Sequence, residues 1–235
     1  MSKTKPTVDT AKFDELVGAV VALDPVPRER RWVSLSLCIA DAVWSIGAHY
    51  DNVVVPLVRN LANEFGVEQP TVPLSAPIGA DPLPLTQLAN LGVDELIRLT
   101  NRQNTSTRGG IRKADAALRH IHVFREHGIT GLADAIALFG DEKRFAAVNK
   151  DLQAIPGEGT HSVRRDYLWM LIGQDDLIKP DRMVLRWFKK HGVVVDPVGA
   201  RDLIAALVPA VGRQLKRTVT AWEIDHALWN AGREM

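Results

Sequence analysis

One cysteine and two tyrosines are all that this chain of 235 residues contains of either type. A single thiol excludes an internal disulfide and cannot by itself hold a zinc ion or an iron–sulfur cluster. Cys38, inside the apolar run 33–48, is therefore expected to pack as a small hydrophobe. No apolar run reaches the roughly 18 residues of a membrane span. The opening Met-Ser-Lys-Thr-Lys-Pro-Thr lacks the apolar centre of a signal peptide, so the cytoplasm is the expected location. An excess of one charge sign is missing too. The formal net charge is +1, which argues against a strongly cationic nucleic-acid binder.

The charges are unevenly spread. Residues 1–103 hold 9 Lys and Arg against 12 Asp and Glu, whereas residues 104–235 hold 20 against 16. The positive half favours an anionic partner there. Hydrophobic content of 46% and charged content of 24% are those of an ordinary globular chain, long enough for one core and a satellite.

Helical periodicity runs through nearly all of it. Phe13, Leu16, Val17, Val20 and Val21 share one face, started by Asp9 or Thr10 and stopped by Asp24-Pro25-Val26-Pro27. Residues 32–46 are apolar nearly all round and read as a central helix, and 53–65 as an amphipathic one. Residues 67–84 carry five prolines and are expected to be a long, functional or mobile loop. Shorter helices are expected at about 86–91, 94–102, 110–127, 132–139, 142–154, 160–173, 181–191 and 198–207. Thr220-Ala221-Trp222-Glu223 has the pattern of a capping box. The only extended candidate is Val193-Val194-Val195, so the expected class is all-α.

The most informative segment is Leu152-Gln153-Ala154-Ile155-Pro156-Gly157-Glu158-Gly159-Thr160. A helix end, a Pro-Gly-x-Gly turn and a second helix opened by Thr160 read as a helix-hairpin-helix. Glycines there can expose successive amides at a helix N-terminus, where a phosphate oxygen fits. Arg164 and Arg165 follow one turn later. The plain alternative is an interhelical turn with solvated arginines.

Residues 152–187 resemble the helix-hairpin-helix DNA glycosylase superfamily, the group of endonuclease III and the alkylpurine glycosylases. Its members place an essential aspartate after the hairpin in the pattern Asp-x-x-Val-x-Arg. Here Asp181-Arg182-Met183-Val184-Leu185-Arg186 stands 25 residues beyond Pro156. Asn104 to Ala114, with Arg112 and Lys113, is similar to the loop and helix that lead to the hairpin. The resemblance implies an endonuclease III-like fold. A six-helix barrel module would span 32–178, with the hairpin at 144–173, and a second subdomain would join 1–31 with 179–235. It also implies double-stranded DNA as partner, gripped through phosphates by Pro156, Gly157, Gly159, Thr160, His161, Arg164 and Arg165.

Three departures qualify what the resemblance implies. His161 stands where lyase members have a nucleophilic lysine, so strand cleavage is not expected. Glu158 replaces an apolar residue, and a carboxylate there weakens phosphate binding unless it points away. The four-cysteine cluster of many members is absent, so no iron–sulfur cofactor, and no other metal or cofactor, is expected.

Breaking a base–sugar bond puts positive charge on the sugar, and a carboxylate stabilises it. Asp181 is the expected catalytic group, with Asp175 and Asp176 behind it; the plain alternative makes Asp181 only the N-cap of the next helix. Trp222 and Trp229, seven apart with Asp225 and His226 between them, are the candidate base pocket, and Tyr50 with His49 a second. The basic residues Arg112, Lys113, Arg119, His120, His122, Arg125 and His127 read as a solvated face. Two functions remain open at this point. One is a monofunctional DNA glycosylase, the other a non-catalytic DNA- or partner-binding protein on the same fold.

Overall fold

A ten-residue helix with no polar face has to be surrounded, and the segment after Trp32 is. The computed structural model describes residues 8–158 and 162–235. It is mostly helical, with one two-stranded sheet. The chain divides into two compact units, residues 29–174, and residues 1–28 together with 175–235. Helix α1 (Thr10–Ala22) opens the second of these, its N-cap Asp9 accepting from Lys12 N at 2.7 Å.

The unit of residues 29–174 begins with β1 (Arg30–Trp32) and then α2 (Leu35–Trp44), all ten of whose residues are buried. Cys38 is among them, as its apolar setting predicts. One π-helical turn (Tyr50–Val54) leads into α3 (Val55–Glu64). Next come β2 (Thr71–Pro73), α4 (Leu85–Ala89), α5 (Gly92–Leu99), α6 (Lys113–Glu126), α7 (Leu132–Ala137), α8 (Glu142–Gln153) and α9 (Val163–Ile172). Helix α2 packs on α6 and α9. Trp169, Phe124, Phe139 and Phe145 form an aromatic cluster with centroids 4.7–6.2 Å apart.

The proline-rich segment is a non-helical loop, as expected, apart from the three residues of β2. Val72 pairs with Arg31 in an antiparallel ladder, and Arg31 donates to the carbonyls of Ala76 and Pro77. Asp81 then accepts from Leu35 N at the start of α2, from Leu132 N at the start of α7, and from Leu83 N. Ser34 and Ser36 donate to the Leu83 carbonyl. The segment is thus a strap fastened by backbone bonds, one carboxylate capping two helices. Val193-Val194-Val195 forms no strand.

In the other unit, α10 (Arg182–Lys190), α11 (Pro197–Leu215) and α12 (Ala221–Arg233) join α1 around Leu16, Trp187, Phe188, Leu207 and Ile224. The capping box of Thr220 and Glu223 is present in both directions. Helices α10 and α12 approach closely at Gly232, where a Cβ would collide with the Met183 carbonyl. Arg186 donates to the Gly232 carbonyl at 3.2 Å.

Candidate functional site

The hairpin turn is built from buried apolar anchors, Leu152 and Ile155, followed by Pro156 and a Gly157 with φ +105°. A Cβ on Gly157 would stand 2.6 Å from Thr105 Cβ, so glycine is required by the neighbouring segment as well as by the dihedral. Gly159, Thr160 and His161 lie outside the described residues. Helix α9 starts later than the sequence implies, at Val163, behind Ser162 in the left-handed region.

Glu158 does not face a phosphate nest. It is 6% exposed, and its Oε1 lies 3.0 Å from His120 Nε2. Its Oε2 lies 3.9 Å from Arg165 Nη1. His120 Nδ1 meets the Ala116 carbonyl at 2.7 Å. Both ring nitrogens thus face an oxygen, one on its own helix and one on the hairpin turn.

This corrects two expectations. Arg165 is 4% exposed and faces Glu158, so it is not a solvent-facing phosphate contact. Arg164 is half-buried and donates to the Thr105 carbonyl at 3.1 Å. The supposed solvated basic face is also divided. Lys113 is 1% exposed, and its ammonium donates to the carbonyls of Trp44 and Ile46 and to Gln103 Oε1, at 2.7–2.9 Å. It closes the end of α2. Burial, then the Arg164 charge, lowers it to about 8.

Tyr50, a candidate pocket residue, donates instead to buried Asp41 at 2.9 Å. Tyr167 and Trp32 donate to the same carboxylate at 2.9 and 2.8 Å. Both tyrosines of the chain therefore converge on Asp41. Burial first, and then the Asp41 charge, raises both phenols above the ordinary tyrosine value. Residues 32, 41, 50 and 167 are too far apart in sequence for spacing to reveal this; the one signal is an aspartate inside an apolar helix.

Asp181 belongs to the other unit. It is the N-cap of α10, and Oδ1 accepts from Met183 N at 2.8 Å and Val184 N at 3.4 Å. Oδ2 accepts from the Trp229 indole at 3.1 Å and lies 3.9 Å from Lys179 Nζ. The carboxylate keeps 23% of its surface in solvent. Asp225, expected beside the aromatic stripe, turns inward and accepts from Lys179 N at 2.9 Å. Burial pushes its carboxyl well up, Lys179 opposing and Asp181 reinforcing the shift. One acid is thus partly open and capped while its neighbour is enclosed and raised.

Trp222 and Trp229 do share a face, with His226 between them. Trp222 stacks on His226 at 4.6 Å and 13°, and His226 faces Trp229 at 6.2 Å and 15°. Arg28 lies over Trp222 at 4.9 Å and Arg233 over Trp229 at 4.4 Å. Burial, then Arg28 and Arg233, lowers the His226 imidazole and keeps it neutral near pH 7. The rings face one another, so this is a packed row and not an open slot for a base. Asp175, the acid held behind Asp181 as a candidate, pairs with Arg28 at 2.6 Å.

Among the described residues there is no group of three or more metal-ligating side chains, and no helix is long and apolar enough to cross a membrane. The family model described as a domain of unknown function (DUF8548) matches residues 11–233. No curated protein and no solved structure matches the chain.

Proposed function

The chain belongs to the DUF8548 family, and we propose that it is a DNA-binding protein of base-excision type, a monofunctional glycosylase acting through Asp181. The observation that carries the reading is the setting of that carboxylate. It is capped by two amides and an indole N–H, partly open to solvent, and flanked by Lys179 and by the enclosed Asp225, whose carboxyl burial raises. A buried acid whose carboxyl is raised, beside a partly open hydrogen-bonded carboxylate, is a mark of functional sites. Support for an endonuclease III-like fold comes from the α8–turn–α9 hairpin and from a unit assembled out of both chain ends.

In this reading the bond between base and C1′ breaks and its electron pair leaves with the base. Positive charge on the sugar is balanced by Asp181. Water then adds to C1′, giving its proton to the carboxylate and from there to the departed base. One cysteine cannot supply a four-thiolate cluster, and the scheme uses no metal. Double-stranded DNA is the partner, held through phosphates by the hairpin turn, and the cytoplasm is the location where such DNA lies within it.

The test is release of free base from duplexes carrying single damaged or modified bases, by the wild-type protein and by Asp181→Asn. Release by wild type and none by the variant supports the reading; no release from any duplex in the panel, or equal release by both, overturns it. One observation favours the non-catalytic alternative: Asp181 already satisfies both oxygens with helix amides and an indole, as a structural cap would. Duplex binding without base release would select that alternative.

A further inference from the structure

Helical spacing on α12 puts residues 222, 226, 229 and 233 on one stripe, and the stripe ends against the first turn of α10. Trp229 occupies a special place in it. Its ring plane is set by the His226 imidazole at 15° and by the Arg233 guanidinium at 4.4 Å. Its indole N–H reaches Asp181 Oδ2 at 3.1 Å. The helix that carries it is held in register by the close approach of Gly232 to the Met183 carbonyl and by Arg186 on the Gly232 carbonyl. Met183 is the residue whose amide caps Asp181 Oδ1. The two oxygens of one carboxylate are thus fixed by two helices, each bonded to the other within a single turn.

We infer that Trp229 is the positioning residue of Asp181. Its indole N–H fixes the direction of Oδ2, and the row Trp222–His226–Trp229–Arg233 fixes the indole. This rests on Asp181 being the acting carboxylate of the proposed function. An N-cap alone constrains one oxygen and leaves the carboxylate free to rotate about it. A rigid donor on the second oxygen removes that freedom, and such supporting contacts normally decide whether a catalytic group is held to a fraction of an ångström. Other charges facing Asp181 are Lys179 from the loop before α10, and Asp225 from α12.

Two measurements test the inference, and only one depends on activity. In the wild-type protein labelled with 15N, the Trp229 indole proton should shift as acid protonates Asp181, and the same resonance should stay flat in Asp181→Asn. An indole signal equally insensitive in both proteins overturns the inference whatever the enzyme does. In single-turnover assays on the duplex from which wild type releases base fastest, Trp229→Phe should retain duplex affinity while the rate of base release falls by about 10-fold or more. Trp229→His, which keeps a ring N–H, should recover part of that rate. A Trp229→Phe protein that releases base at the wild-type rate overturns the inference. Should wild type release no base at all, the glycosylase reading fails, while the indole titration still decides whether Trp229 fixes Asp181.

Discussion

Glu158 Oε1 lies 3.0 Å from His120 Nε2, inside the hairpin and away from solvent. The carboxylate that interrupts an otherwise apolar position is therefore an internal counter-charge. Arg165, whose Nη1 lies 3.9 Å from Glu158 Oε2, shares it.

Glu158→Ala leaves a buried guanidinium without its counter-charge. It should lower unfolding free energy by roughly 3–5 kcal/mol, the usual cost of breaking a buried pair from one side. Chemical denaturation checks this. A loss below about 1 kcal/mol would show that the guanidinium reaches solvent by another route.

Asp81→Ala removes acceptors at the first turns of α2 and α7 together. At about 1 kcal/mol for each cap, the expected loss is roughly 2–3 kcal/mol in a urea melt. Asp81→Asn, which retains one oxygen, should lose less.

Asp225→Asn should change the pH dependence of stability. The folded-state carboxyl is raised above its unfolded value. Its contribution is therefore fully present below the unfolded pKa, about 4, and is lost as pH rises above it. Asparagine does not ionise. The stability difference between variant and wild type should accordingly move in the variant's favour from pH 4 to pH 7. A difference that stays constant over that range would place Asp225 in a solvated setting.

Gly157→Ala should weaken duplex binding only together with stability, because a Cβ there meets Thr105 and φ is +105°. Binding titrations alongside thermal melts separate the two. Affinity lost at full stability would return the glycine to direct phosphate contact. Binding itself should fall steeply with salt if phosphates carry it.

Much of the scaffold is legible in the sequence, for local reasons. Helix α2 declares its central place because no face of it is polar, and Thr220 with Glu223 declares the start of α12. The Pro156-Gly157 turn is visible because only certain residues adopt its dihedrals. The two strands are not visible, since three residues apiece, one of them Pro73, carry no alternation. Side-chain direction is the larger blind spot. Lys113, His120 and Arg165 look solvated by type, and each turns inward, the first two to partners far along the chain and Arg165 to Glu158 seven residues before it. Trp222 and Trp229 share a face as their spacing requires, but only the packed structure shows His226 filling the space between them.

Asp41 has a spectroscopic consequence. Both phenols of the chain donate to one enclosed carboxylate, and burial with the Asp41 charge holds both above the ordinary tyrosine value. Absorbance near 295 nm should stay silent as pH climbs past about 10, where free tyrosine ionises. The raised phenols stabilise the fold below that pH and lose their contribution above it. The absorbance should then rise in one step for both rings, timed with loss of helix in circular dichroism. The chain thus carries an intrinsic optical marker of its alkaline collapse, with no label attached.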